Sequence, residues 1–188
     1  MKRVVFANIK GGSGKTTVAN ELAFSLDRTG IQYSFFDLDG QRGGAHTTTQ
    51  NPDAVVSIAD TAAAMETTDL KELAKAADIV VIPTRHSKLD VYSFAETLGI
   101  VRETNPNAIV VVIHNGWNRY NLAKDFDAWL KVNAEDTTIM QLPQSEAISM
   151  AATQGVSVLD VNRRCSGARA ILEIVSTIRE CLGLEKEI

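Results

Sequence analysis

The residues best suited to chemistry lie near the start of the chain, where Lys10, Gly11, Gly12, Ser13, Gly14, Lys15, Thr16 and Thr17 follow one another without interruption. Glycines, having no Cβ, let successive backbone N–H groups turn inward and approach a polyphosphate. A helix opening at such a loop adds the partial positive charge of its N-terminus. In that setting Lys15 reaches the β and γ phosphates, and the Thr16 hydroxyl is placed for a bridging Mg²⁺. Carboxylates that could serve the same ligand follow: Asp37 and Asp39 in Asp37-Leu38-Asp39-Gly40-Gln41, then Asp60 at the end of the apolar run from Val55 to Ala59. An Asp-x-Asp at a strand end could equally be a solvated turn, and Asp60 could cap a following helix.

These residues need elements to hold them in place. Apolar, β-branched runs at Arg3 to Asn8, Tyr33 to Leu38, Ala54 to Ala59, Ile79 to Ile82 and Ala108 to Ile113 read as buried parallel strands, with a shorter strand from Thr137 to Leu142. Between the first two, Val18, Leu22 and Leu26 recur at four-residue spacing from Lys15 to Thr29 before Gly30, a helix with its stop signal. Ser87-Lys88-Leu89-Asp90 has the form of a capping box opening a helix striped by Val91, Phe94, Leu98 and Val101. Further helices are expected from Trp117 to Val132, from Gln144 to Thr153 and from Ser166 to Gly183; the last carries Ala168, Ile171, Leu172, Val175, Ile178 and Leu182 on one face. No linker or repeat divides the chain, so residues 1–188 form a single domain. Its class is α/β, a mostly parallel twisted sheet with helices on both faces and ligands at the carboxyl ends of the strands.

One departure from the usual G-x-x-x-x-G-K-[ST] loop is informative, because Ile9 stands where its first glycine would be and Lys10 follows. A lysine five residues before the loop lysine defines the deviant Walker A motif, and on these residues the sequence resembles the ParA/MinD family of P-loop ATPases. In type it is most similar to short ParA partition proteins without a helix-turn-helix segment ahead of the loop. The resemblance implies that Lys10 crosses the interface of an ATP-bound sandwich dimer and contacts the partner's nucleotide, in the manner of an arginine finger. It also implies that Asp39 positions the attacking water, that Asp37 supports the metal shell, and that Asp60 holds Mg²⁺ ahead of a switch segment at Thr61 to Ala63. Gly40 stands in place of the family's proline, and Ala62-Ala63 where Pro or Gly is usual. Asn115 matches the family's adenine-reading asparagine, although an asparagine before Gly116 could as well be a turn residue. Pro143 corresponds to the loop that packs the base.

With 45% hydrophobic and 22% charged residues, the composition is that of a globular domain. No 18-residue apolar run occurs, and Val4 to Ala7 is too short for a signal peptide, so a cytoplasmic location is expected, on the nucleoid when nucleotide is bound. Cys165 and Cys181 lack metal-ligand spacing and read as structural thiols, which argues against an iron–sulfur ATPase. A net charge of −4 confines any nucleic-acid contact to a local patch. Arg163, Arg164, Arg169 and Arg179 against Glu173 form that patch, with Arg163 and Arg164 at the start of the last helix; solvated arginines are the plain alternative.

The resemblance therefore implies an ATP- and Mg²⁺-dependent DNA partition ATPase. It would be a homodimer with ATP, bind DNA non-specifically, and be discharged by a ParB-like or small centromere-binding adaptor. Positioning of a protein cargo is the related alternative. A MinD-like membrane cycle ranks below both, because Glu185-Lys186-Glu187-Ile188 is too acidic and short for anionic lipid. A metabolic amide ligase would need substrate loops for which 188 residues leave little room.

Overall fold

The computed structural model describes residues 1–39 and 44–184. Gly40 and Gln41, and the acidic tail from Glu185 to Ile188, therefore lie outside the described residues. The strands are β1 (Lys2–Phe6), β2 (Tyr33–Asp37), β3 (Val56–Asp60), β4 (Ile79–Thr84), β5 (Ile109–Trp117) and β6 (Thr138–Pro143). The helices are α1 (Lys15–Arg28), α2 (Thr67–Ala76), α3 (Lys88–Thr104), α4 (Asn121–Asn133), α5 (Glu146–Gln154), α6 (Val158–Asn162) and α7 (Ser166–Leu182). The strands form one sheet in the order β2-β3-β1-β4-β5-β6, every neighbouring pair parallel.

The two-residue period of the strands sorts their side chains between two cores. Val4 and Phe6 of β1, Ile79 and Val81 of β4, and Val111 and Ile113 of β5 pack with Leu22 and Leu26 of α1 and Ile171, Ile174 and Ile178 of α7. Val5, Ala7, Val80, Ile82, Val110 and Val112 alternate to the opposite face, against Leu70 of α2, Phe94 and Leu98 of α3, and Phe126 and Leu130 of α4. Helices thus cover both faces, as the near-continuous apolar strands require. The chain leaves β1 to one side for β2 and β3 and returns to the other for β4 to β6. The crevice at the carboxyl end of β1 is therefore the switch point of the topology, where an open α/β sheet binds its ligand.

Several boundaries depart from the sequence reading. β5 runs through Trp117, where a helix was expected to start, because Gly116 at φ +75° bulges the strand and lets Trp117 pair with Pro143; α4 begins only at Asn121. β3 begins at Val56, leaving Val55 about half exposed. Helices α2 and α6 were not anticipated. The predicted capping box is present: the Asp90 N–H donates to Ser87 Oγ at 3.3 Å, and the Ser87 N–H donates to Asp90 Oδ2 at 3.1 Å. Cys165 proves to be the N-cap of α7, its sulfur accepting from the Ala168 N–H at 3.3 Å.

Arg179 does not belong to a surface patch. It is 1% exposed and donates to Ser25 Oγ at 3.1 Å and Thr29 Oγ1 at 2.9 Å, tying α7 to the end of α1. At its other side α1 is tied to α6: the buried carboxylate of Glu21 accepts from Ser157 Oγ at 2.6 Å and from the Val158 N–H at 2.7 Å.

Candidate functional site

The loop between β1 and α1 has the form that phosphate binding requires. Gly12 and Gly14 adopt φ +71° and +109°, and α1 starts after Gly14 with no side-chain cap and no acidic residue in its first turn. Its first N–H groups are thus left to the loop. Gly14 is fixed by space as well as by conformation, since a Cβ there would lie 2.5 Å from Nδ2 of Asn115. Asn115 instead donates from Nδ2 to the carbonyl of Ser13 at 2.8 Å, so its amide braces the loop and Oδ1 remains as an acceptor. Gly11 faces Ala63, whose Cβ would be 3.3 Å from a Cβ added at Gly11, and the Ala64 N–H donates to the Ile9 carbonyl at 2.8 Å. The small residues at 62 and 63, unusual for the resembled family, thus let the segment after β3 lie directly on the glycine loop.

Lys15 is buried and donates to the carbonyls of Asn8 at 3.0 Å and Lys10 at 3.2 Å. Desolvation lowers its pKa, against the attraction of Asp60 and Asp39. Asp39 lines the same cavity of about 240 Å³ as Gly11 to Thr17, Ala63 and Asn115. Its N–H donates to Asp37 Oδ1 at 3.0 Å, so Asp37 shapes the turn that aims Asp39. Thr17 and Asn115 also line an adjoining cavity of about 290 Å³, walled by Pro143, Ile148, Gly116 and Arg85. A phosphate cavity thus adjoins a second one large enough for a base.

Asp60 ends β3, well before α2 and its N-cap Glu66, so it is not a helix cap. It is 2% exposed; Thr16 hydrogen-bonds to it, yet its Oδ1 is buried without a partner. Burial pushes its carboxyl up to about 6, with Thr16 and Lys15 opposing and Asp37 and Asp39 adding to the shift. A carboxylate oxygen left unsatisfied beside a threonine hydroxyl suits a hard divalent cation. Mg²⁺ would be held by Thr16 and Asp60, with Asp37 and Asp39 nearby contributing charge.

The raised Asp60 pKa has a stability consequence. The folded state binds this proton more tightly than the unfolded chain, so the contribution is present below about pH 4 and lost as pH rises through about 6. Asp60→Asn should therefore raise the melting temperature of the ligand- and metal-free protein at pH 7.5, by the equivalent of about 3 kcal/mol. It should also flatten the pH 4–6 slope, leaving the part due to Glu21, which burial likewise raises. Melts across pH that superimpose on wild type would show that Asp60 carries no such strain.

Lys10 points away from the phosphate loop. Its ammonium bonds Asp90 Oδ1 at 2.6 Å and Ser87 Oγ at 3.3 Å, at the first turn of α3. Burial alone would raise the Asp90 carboxyl, but Lys10 and the Ser87 hydroxyl and N–H outweigh it and hold the carboxyl below its usual range. Sequence reasoning saw Asp90 only as half of a capping box, since nothing local pairs residues so far apart along the chain. It also missed a hydrogen-bonded chain, centred on the buried His114, behind the base cavity. His86 Nδ1 meets His114 Nε2 at 2.9 Å, and His114 Nδ1 meets Asp127 Oδ1 at 2.5 Å. Asp127 Oδ2 accepts from Trp117 Nε1 at 2.8 Å and Gln141 Nε2 at 2.6 Å. With the carboxylate as terminal acceptor, His114 carries its proton on Nδ1 and accepts from His86 at Nε2.

Residues 4–158 match the CobQ/CobB/MinD/ParA nucleotide binding domain family. The chain belongs to that family. No curated protein matches it in sequence. Among solved structures, Cyanothece McdA in complex with ATP superposes with a TM-score of 0.82 at 18% identity, covering 100% of this chain and 98% of that one. A ParA family ATPase from Chlorobium tepidum gives 0.74 at 16%, over 93% and 98%. MinD from Pyrococcus horikoshii, complexed with Mg-ADP, gives 0.65 at 14%, over 97% of both chains. At these identities the likeness speaks to the fold, and it covers nearly all of each chain. As a CobQ/CobB/MinD/ParA nucleotide-binding domain, this chain brings Lys15, Thr16, Asp39, Asp60 and Asn115 to one crevice. It leaves the Lys10 ammonium paired at the start of α3, and Arg163, Arg164 and Arg169 exposed around the α6–α7 turn.

Proposed function

We propose that this chain is a Mg²⁺-dependent ATPase of the DNA-partition type, whose ATP-bound homodimer binds DNA without sequence preference and releases it on hydrolysis. The observation that carries the ATPase reading is the convergence of Lys15 and Asp39 on the glycine-loop cavity, with the unsatisfied Asp60 beside Thr16 and Lys15. Backbone N–H groups of residues 11–16 cradle the phosphates, and Lys15 turns from the carbonyls it now bonds to meet their charge. Asp39, aimed by Asp37, orients the attacking water. Bound Mg²⁺ supplies charge neutralisation on the phosphates. Lys10, once free of Asp90, reaches the partner's nucleotide. Asn115 Oδ1 accepts from the adenine amino group, beside Pro143.

DNA binding is supported by exposed Arg163, at the C-cap of α6, with Arg164 beside it and Arg169 on the first turns of α7. Only Asp160 and Glu173 offset them locally. Phosphate contacts of this kind position a protein without reading bases. Gel shifts with ATP, ADP and no nucleotide test the reading: retardation should require ATP. Replacing Arg163 and Arg164 with Glu should abolish the shift while sparing ATPase activity. In milder Arg-to-Ala form it should reduce the salt slope of log K by about 2 per protomer. DNA affinity unchanged by these substitutions would place the contact elsewhere, and binding indifferent to nucleotide would refute the cycle. Positioning of a protein cargo shares this cycle and differs only in the adaptor.

A further inference from the structure

Arg85 directly follows β4 and lines the cavity that adjoins the phosphate site. Its guanidinium is exposed and makes no hydrogen bond or ion pair to any described residue. What it touches is Gly116. A Cβ placed on that glycine would lie 3.1 Å from Nη2, 3.3 Å from Nε and 3.5 Å from Cζ of Arg85. Nη2 and Nε are the nearer atoms and Cζ the farther, so the guanidinium turns its Nε–Nη2 edge toward the glycine. The faces of the plane are left open beside the cavity, and its N–H groups donate to no described residue.

The loop bearing Arg85 is held from behind. His86, its neighbour, is fixed by His114, and His114 by Asp127, which Trp117 and Gln141 also grip. The backbone under Arg85 is therefore tied to β5, α4 and β6 before any ligand arrives. A flat, delocalised cation on an anchored loop, at the wall of the cavity and with no partner of its own, is suited to stacking on a π-system. Such stacking tolerates any base, because every base has a π-face. Discrimination falls instead to Asn115, whose free Oδ1 suits an exocyclic amino donor.

We propose that Arg85 is a nucleobase-stacking platform, adding affinity for the base of a bound nucleoside triphosphate without selecting which base. This rests on the nucleotide-binding reading above. Calorimetric titration of the full chain with ATP, GTP and inorganic tripolyphosphate tests it. Arg85→Ala, an exposed and unpaired position, should weaken ATP and GTP by the same factor, roughly threefold to thirtyfold. Tripolyphosphate, which has no base, should bind the variant and wild type alike. Equal weakening of tripolyphosphate would make Arg85 a general attractor of phosphate charge and overturn the proposal. Weakening of only one nucleotide would make it an edge reader, and unchanged ATP affinity would leave it no role; either result overturns the proposal too. Wild-type protein that binds neither ATP nor tripolyphosphate would overturn the nucleotide-binding reading itself, and this inference with it.

Discussion

Lys15→Ala is expected to cut ATP affinity by at least an order of magnitude, to the point of abolishing measurable binding at the upper end of the range, while the protein still folds. The ammonium is buried at the carboxyl end of β1, within the cavity where phosphate charge would sit. Truncating one partner of a buried charge pair typically costs 2–5 kcal/mol or more, so the affinity should fall by about thirtyfold to several thousandfold. The fold should tolerate the change. Desolvation outweighs the attraction of Asp60 and Asp39 for this lysine, so its charge is no net support to the ligand-free protein. Two loop carbonyls, of Asn8 and Lys10, lose a donor, and a modest drop in melting temperature is the expected cost. Calorimetry with ATP and a thermal melt check both halves. Unchanged ATP affinity would remove the phosphate-loop assignment and everything built on it.

The second large effect is on turnover. Lys10→Ala should leave nucleotide binding near wild type and lower stimulated hydrolysis by about a thousandfold, the lower end of what a finger residue supplied in trans contributes. In the free chain Lys10 is held by Asp90 and Ser87, so its removal has a competing explanation: loss of a brace at the start of α3. Asp90→Asn separates the two. It removes the ion pair and leaves Lys10 in place, so a brace would make the two variants alike, whereas a transferring lysine makes Asp90→Asn as active as wild type or more so. Single-turnover ATPase rates with ATP affinity measured in parallel decide the matter. A Lys10→Ala protein with normal turnover would eliminate the cross-subunit role.

The parts of the site visible in the sequence are those whose chemistry is local. The glycine loop needs its residues adjacent, so Lys10 to Thr17 could be read directly, and the doubly buried strands left continuous apolar runs that placed Asp37, Asp39 and Asp60 at strand ends. Helix α2 was legible in principle, since Leu70, Leu73 and Ala74 follow helical spacing, whereas five-residue α6 is too short to show a period. Other features depend on the sheet order. Asp90 meets Lys10 because β4 lies beside β1, and His86, His114 and Asp127 converge because β4 and β5 pair. Charge counting along the chain treated Arg179 as equal to Arg163, yet one is buried against α1 and the other faces solvent. Asn115 could be read as a turn residue before Gly116, yet both lie within β5, which Gly116 bulges and extends.

The carboxylate of Glu21 links the helix of the phosphate loop to the arginine-bearing turn. It stands on the helix that opens at the phosphate loop, and through Ser157 and Val158 it holds the first residues of α6, the short helix whose last turn ends in Arg163. In the function proposed above, the fourteen-residue α1 and the arginine-bearing turn would act as the two arms of one lever, with a buried hydrogen-bonded joint between them. A displacement of α1 by nucleotide would swing the arginines. Because coupling between two binding events is reciprocal, DNA held by those arginines would shift nucleotide affinity by the same factor. Gel shifts and ATP titrations made with and without DNA read the two ends of that lever independently.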